Sequence, residues 1–332
     1  MVYKKMLVTG GAGFIGSEFV RCAVKLGYRV AVVDKITYAG DLKRLEACSG
    51  KYRFFKADIC NKKAIDAVVK KQRPDVIVNF AAETHVDRSI LDSKAFMDTN
   101  IGGTKNLLDL AMKYRVKRFV QISTDEVYGE IRKGSFCEDS PLAPNSPYAA
   151  SKAAADILVR SYIRTYGLPA LIVRPCNNYG PWQYPEKFMP VVIHKALNND
   201  RVPVYAKGMN VREWLHISDC AAAILKAVQR GRAGEVYNIG SGEERRNIDV
   251  AARILAILKK PGKLIKYVKD RPGHDLRYSL DSSKISKALG WKPKVKFNEG
   301  LIDTVNWNKE NAAWITAKAK LLSGYWKKVY KG

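Results

Sequence analysis

The chain has no C-x-x-C pair: its six cysteines (Cys22, Cys48, Cys60, Cys137, Cys176, Cys220) stand far apart, which speaks against a zinc site and against a disulfide framework. Reduced thiols in the cytoplasm are the expectation. The four histidines are as dispersed, and without an H-E-x-x-H or related ligand spacing no metal is expected. Long apolar runs are missing too. Met6, Leu7 and Val8 pass straight into Thr9 and Gly10, too short a stretch for a secretory h-region or a bilayer span. Neither export nor a membrane is expected. Acidic residues are scarce, 32 against 58 Lys and Arg, which leaves a formal charge of +26. Clustered cations would point to nucleic acid, but these are spread over the whole length with no nucleic-acid-binding motif. They read as a solvated cationic surface that suits an anionic substrate.

What is present is a chain of 332 residues, 47% hydrophobic, long enough for one main domain with a smaller partner. Residues 5–8, 29–33, 53–56, 76–80, 118–123 and 170–174 read as strands with amphipathic segments between them, the β-α alternation of a doubly wound parallel sheet. Residues 100–115 and 151–166 read as two long helices. Their small and apolar side chains (Gly102, Gly103, Leu107, Leu110, Ala111; Ala153, Ala154, Ile157, Ile163) suit an interface as well as a core. After Asn178 the pattern loosens around Pro181, Pro185, Pro190 and Pro203, and residues 235–240 return to the sheet. The expected fold is α/β, a Rossmann-like doubly wound parallel sheet with a smaller, mixed C-terminal lobe. Residues 1–178 and about 212–241 form the dinucleotide domain; about 179–211 and 242–332 form the substrate lobe. Ligands then sit between the lobes, at the carboxyl ends of the strands.

Thr9-Gly10-Gly11-Ala12-Gly13-Phe14-Ile15-Gly16 follows the first strand and opens a helix. Gly13 lets the backbone approach a pyrophosphate resting on the helix N-terminus, and Gly16 lets the helix pack on the strand. A glycine loop alone is weak evidence; an acid at the end of the second strand strengthens it. That acid is Asp34, 18 residues beyond Gly16 (34 − 16), suited to ribose hydroxyls and repelling a 2′-phosphate. Lys35 beside it is the one dissenting residue. NAD is the expected cofactor, with Asp58 and Ile59 cradling the adenine.

Tyr148 and Lys152 lie one helical turn apart on a single face. The Lys152 ammonium is expected to lower the phenol pKa by direct charge, so that Tyr148 acts as a base, with Thr124 on the same substrate hydroxyl. Hydride transfer has no use for a further acid and base, so Asp125 and Glu126 point to redox chemistry coupled to a proton-driven elimination.

These residues resemble the extended short-chain dehydrogenase/reductases and, within them, the dTDP-glucose 4,6-dehydratase family. The likeness runs nearly end to end: Thr-Tyr-Ala-Gly at 37–40, Ala-Glu-Thr-His-Val-Asp-Arg-Ser at 82–89, Thr-Asp-Glu-Val-Tyr-Gly at 124–129, Asn-Asn-Tyr-Gly-Pro at 177–181, Pro-Glu-Lys at 185–187, Glu-Val-Tyr-Asn-Ile-Gly at 235–240 and Asp-Arg-Pro-Gly-His-Asp at 270–275. Epimerase relatives generally lack both carboxylates, and GDP-mannose dehydratases usually carry Ser where Asp125 stands.

The resemblance implies a lyase that uses NAD, a nucleotide-diphosphate sugar (dTDP-glucose) as substrate, and a homodimer. Tyr148 takes the proton of the sugar 4-hydroxyl during oxidation at carbon 4, Glu126 takes the carbon-5 proton, and protonated Asp125 donates to the departing 6-hydroxyl. It further implies cofactor contacts at Gly10, Gly13, Phe14, Ile15, Gly16, Asp34, Lys35, Thr37, Asp58, Ile59, Ala81, Ala82, Thr99, Tyr148, Lys152 and Asn178. Substrate contacts follow at Thr84, His85, Thr124, Asn177, Lys187, Tyr205, Arg212, Asn247, Arg271, His274 and Tyr278, with Arg212 and Arg271 suited to paired phosphate oxygens. Cys176 stands where the family usually has Ser, Cys220 where His is common, and Ala206-Lys207 replace a usual Gly-Asp. A UDP-glucose 4,6-dehydratase or a nucleotide-sugar epimerase is the alternative, and a non-catalytic nucleotide-sensing or nucleic-acid-binding relative the remote one.

Overall fold

A computed structural model describes residues 3–330 of the chain. The first half runs β1 (Lys5–Thr9), α1 (Phe14–Lys25), β2 (Arg29–Asp34), β3 (Tyr52–Lys56), α2 (Lys62–Gln72), β4 (Val76–Asn79), α3 (Val86–Leu91), α4 (Lys94–Phe96), α5 (Thr104–Lys113), β5 (Arg118–Ile122), α6 (Pro147–Tyr166) and β6 (Ala170–Pro175). The second half adds β7 (Asn177–Tyr179), α7 (Phe188–Leu197), β8 (Val202–Tyr205), β9 (Val211–His216), α8 (Ile217–Arg230), β10 (Val236–Ile239), β11 (Glu244–Arg246), α9 (Asn247–Ile257), β12 (Ile265–Val268), α10 (Ser283–Leu289), α11 (Phe297–Glu310) and α12 (Ala312–Val329).

Seven strands form one sheet in the order β10-β6-β5-β4-β1-β2-β3, every pair parallel. Successive side chains of a strand point to opposite faces, so β1 sends Met6 and Val8 into one apolar layer with Phe19 and Val20 of α1, and Leu7 into the other with Leu107 and Leu108 of α5. Both faces are covered, which explains the near-continuous apolar strands. The chain order reverses between β1 and β4, and the crevice at such a switch point is where a doubly wound sheet takes its ligand.

A three-stranded sheet (β11-β9-β7) and a two-stranded one (β12-β8) stand apart from it, packed around Trp214, Val192, Ile254 and Leu301; β9, expected in the dinucleotide domain from about residue 212, thus pairs outside the seven-stranded sheet. Helix α7 lies in the stretch read as loop: Pro190 is its third residue, where the missing N–H has no intrahelical partner to lose. The helix expected over 100–115 is α5 preceded by a π-helical stretch, Met97–Gly103, that ends at Lys113. Among the described residues no helix is long and apolar enough to cross a membrane.

Candidate active site

The carboxyl ends of β1 to β6 open on one cleft of about 1500 Å³, its open mouth included, and every residue expected to touch the cofactor lines it. Gly10 sits at φ +67°, where a Cβ would come 2.6 Å from the Ala81 nitrogen, so the β1 turn can pass β4 only as glycine. Helix α1 has no side-chain cap at Gly13; its first N–H groups are left for an anion. Asp34 accepts from the N–H of Ala12 at 3.0 Å and of Ile36 at 2.8 Å, which fixes its carboxylate at the end of β2. The Lys35 ammonium lies 3.2 Å from Glu83 and 3.7 Å from Asp58, so its charge is already answered by acids. These residues fit an adenine dinucleotide without a 2′-phosphate.

Arg44, buried among these loops, was not foreseen from the sequence. It donates to the carbonyls of Ala12 at 2.9 Å, Ala39 at 2.6 Å and Trp182 at 3.1 Å, tying the glycine loop to the second lobe. No local pattern marks it, because its partners lie in separate segments.

Helix α6 carries the oxidation pair. Ser146 caps it by accepting from the Ala149 N–H, Pro147 takes its first position, and Gly167 ends it in the left-handed region. Tyr148 and Lys152 thus fall in its first two turns, both buried. Tyr148 packs edge-on to Phe96 and lines the cleft together with Thr124. Lys152 donates to the Ile122 carbonyl at 2.5 Å. The expected lowering of the phenol by Lys152 is not found. Burial raises the Tyr148 pKa, and the charges of Glu126 and Asp125 raise it further. Burial also brings Lys152 down to about 8. With two carboxylates close to the phenol, one ammonium turned to a backbone carbonyl does not win.

Thr124 caps a short 3₁₀ helix, Asp125–Tyr128, accepting from the Glu126 N–H at 3.3 Å and donating to Asp125 Oδ1 at 3.1 Å. Asp125 Oδ2 is buried with no hydrogen-bond partner in the protein. Its pKa is raised far above the usual carboxylate range by burial, then by Glu126 and Glu213. Burial raises Glu126 too, but Arg271, Arg212 and Lys187 pull it back. The pair is sorted into a proton holder and a group whose ionised form has cationic support.

Thr84, Asn177 and Lys187 line the cleft itself, Lys187 donating to the Thr84 carbonyl at 2.9 Å. Arg212, Arg271, Tyr205, His274 and Tyr278 form an adjoining wall. Arg212 stacks on Tyr278 at 4.3 Å and donates to the Asp275 carbonyl at 2.9 Å. Arg271 is 3.6 Å from Asp87, which also accepts from Tyr205 at 3.1 Å, and His274 packs edge-on against Tyr205. Asn247 opens α9, its N–H bonded to the Asn210 carbonyl and its side-chain oxygen without a protein partner. His85 does not face the cleft. It is buried, with Nε2 at 3.1 Å from the Glu186 carbonyl and Nδ1 at 3.0 Å from the Tyr325 hydroxyl; with both ring nitrogens occupied, it ties the segment before Lys187 to α12.

A strand-end dinucleotide cradle opening onto a Tyr-x-x-x-Lys pair defines a short-chain dehydrogenase/reductase, and the Asp125–Glu126 pair beside it marks a dehydratase of that class. The chain belongs to the family described as GDP-mannose 4,6 dehydratase, whose model it matches over residues 7–304. It is 49% identical over 318 residues to dTDP-glucose 4,6-dehydratase of Streptomyces niveus, covering 93% of this chain and 94% of that protein. The crystal structure of the Streptomyces venezuelae dTDP-glucose 4,6-dehydratase with NAD bound matches at a TM-score of 0.92 and 46% identity, over 95% of this chain and 99% of that one. The Bacillus anthracis dTDP-glucose 4,6-dehydratase in complex with NAD matches at 0.89 and 43%, over 95% and 99%.

Proposed function

We propose that this chain is an NAD-dependent dTDP-glucose 4,6-dehydratase, a hydro-lyase that yields dTDP-4-keto-6-deoxyglucose. The observation that carries the reading is the Asp125–Glu126 pair, set in one cleft with Tyr148 and Lys152 and divided by its surroundings into acid and base. NAD, held by the α1 N-terminus and Asp34, supplies the hydride acceptor for carbon 4 and the donor for carbon 6, so none is consumed. Tyr148, with Thr124 in the same cleft, takes the proton of the 4-hydroxyl as its phenolate, the form that the cationic nicotinamide of bound NAD would favour over the cofactor-free cleft. The carbonyl so formed acidifies carbon 5, whose proton Glu126 accepts. Asp125 gives its proton to the 6-hydroxyl, which leaves as water, and as hydride returns to carbon 6 Glu126 gives its proton back to carbon 5. Elimination before oxidation would have no carbonyl to stabilise the carbanion, so the two pairs must share a site.

Arg212, Arg271 and Lys187 supply the cations for the diphosphate. Two copies pair through α5 and α6: Leu107, Leu110 and Ala111 are spent on the core, while Met112, Ile157 and Tyr166 are left exposed, with Leu91 and Met97 also exposed in the segment before α5. The enzyme works in the cytoplasm, where its substrate and reduced thiols belong. Incubation with dTDP-glucose and separately with UDP-glucose, followed by detection of a 4-keto-6-deoxy product, tests this; product from dTDP-glucose is expected, and product from neither sugar would refute it.

A further inference from the structure

Behind the two catalytic pairs lies an ion pair to which no step of the reaction gives a part. Asp156 and Arg174 are 0% and 1% exposed, with Arg174 Nε donating to Asp156 Oδ2 at 2.9 Å. A buried ion pair seldom adds net stability over apolar side chains of the same size. What this one holds is informative. The same Asp156 oxygen accepts from Ser123 Oγ at 2.9 Å. Arg174 stacks on the Tyr128 ring at 4.8 Å and donates to its hydroxyl at 2.7 Å, and that hydroxyl donates to Asn238 at 2.7 Å. Ser123 and Tyr128 bracket Thr124, Asp125 and Glu126. Asp156 itself stands on α6, one turn beyond Lys152 and two beyond Tyr148, where side chains four apart share a face.

The charges facing Asp156 are few. Arg174 pairs with it from β6 and the Ser123 hydroxyl bonds it from the end of β5, while Lys152 and Tyr148, one and two turns back on its own helix, feel its charge without pairing with it directly. Against the burial that lowers Lys152, Asp156 is the group whose charge raises it. Asp156 Oδ1 has no hydrogen-bond partner in the protein.

We infer that Asp156 is a positioning residue of the reaction: seated on Arg174, it clamps the turn bearing Asp125 and Glu126 to the helix bearing Tyr148 and Lys152, and supplies the counter-charge that keeps Lys152 an ammonium. This rests on the proposed division of the site into an oxidising and an eliminating half. Two variants separate the two duties. Asp156→Asn keeps the shape and removes the charge; Ser123→Ala releases the turn and leaves the charge in place.

The first readout needs neither cofactor nor turnover. Trace acetylation of the cofactor-free protein, followed by peptide mass spectrometry across pH, follows the neutral form of Lys152. In Asp156→Asn the midpoint is expected to fall by about one pH unit, and in Ser123→Ala to stay in place. The second readout is the lifetime of reduced cofactor in a single turnover with dTDP-glucose. Ser123→Ala is expected to lengthen it about tenfold or more, since small misplacements of reacting groups carry large rate penalties. If Asp156→Asn does not fold, the charge-neutral double variant Asp156→Asn/Arg174→Gln takes its place with the same expected midpoint. An unmoved Lys152 midpoint, or wild-type lifetimes in Ser123→Ala, overturns the inference. Absence of reduced cofactor in the wild-type enzyme would instead strike at the proposed reaction, and the acetylation midpoint would still decide the charge role.

Discussion

Asp125 and Glu126 are chain neighbours in one cleft, yet their surroundings oppose one another. Glu126 faces Arg271, Arg212 and Lys187, whereas Asp125 faces Glu126 and Glu213, which act on it more strongly than Arg212 does. Removing a cation from Glu126 raises its pKa, and a base is lost below its pKa. Arg271→Gln should therefore move the acid limb of kcat, measured at saturating substrate, to higher pH. An acid limb unchanged in that variant would mean that Glu126 does not depend on this cation.

The cofactor should be NAD. Asp34 stands fixed at the end of β2, where its carboxylate suits ribose hydroxyls and repels a 2′-phosphate, and Lys35 is already engaged by Glu83 and Asp58. Cofactor released by denaturing the purified protein and identified by mass should be mainly NAD. Recovery of mainly NADP would contradict the assignment and promote Lys35.

Two copies should associate through α5 and α6. Light scattering at micromolar concentration should give twice the 37.2 kDa of one chain. Ile157 is 57% exposed on α6, so Ile157→Asp places a charge in that face without disturbing the core, and should yield monomers. A wild-type mass of 37.2 kDa would dispose of the pairing.

Helix α12 should be a strap and not an appendage. Its Trp314 donates to Asp41 at 2.9 Å and lies under the Arg44 guanidinium at 5.3 Å, while its Tyr325 holds His85 at 3.0 Å. Trp314→Ala should cost about 3–5 kcal/mol, read as a lower urea midpoint, and should loosen cofactor retention through Arg44. A midpoint within error of wild type would show that α12 bears no load.

How much of this was legible in the chain follows from how local each feature is. Strands such as β4 and β6 were readable because both faces of the sheet are covered there, which makes them apolar runs, whereas edge strand β3 keeps Arg53 and Lys56 exposed beside its aromatic residues; the glycine loop was readable because strand, turn and helix are consecutive. Tyr148 and Lys152 were readable from one helical turn. Three things were not. Pro190 hid α7, since a proline in the first turn reads as a breaker. Arg44 and the Glu186 carbonyl that fixes His85 act across separate segments, and no periodicity carries such contacts. The direction of the Tyr148 shift was misjudged because the sequence shows Lys152 one turn away but not the burial, nor the two carboxylates that the 3₁₀ turn brings beside the phenol.

The central claim is that Tyr148 serves oxidation while Asp125 and Glu126 serve elimination. Absorbance of reduced cofactor in a single turnover with dTDP-glucose tests it most directly. Tyr148→Phe should show no transient, whereas Asp125→Asn and Glu126→Gln should form one that persists, with overall turnover slowed by about 10²–10⁴-fold. Wild-type turnover in both carboxylate variants would contradict the account and leave an epimerase-like reaction as the better reading.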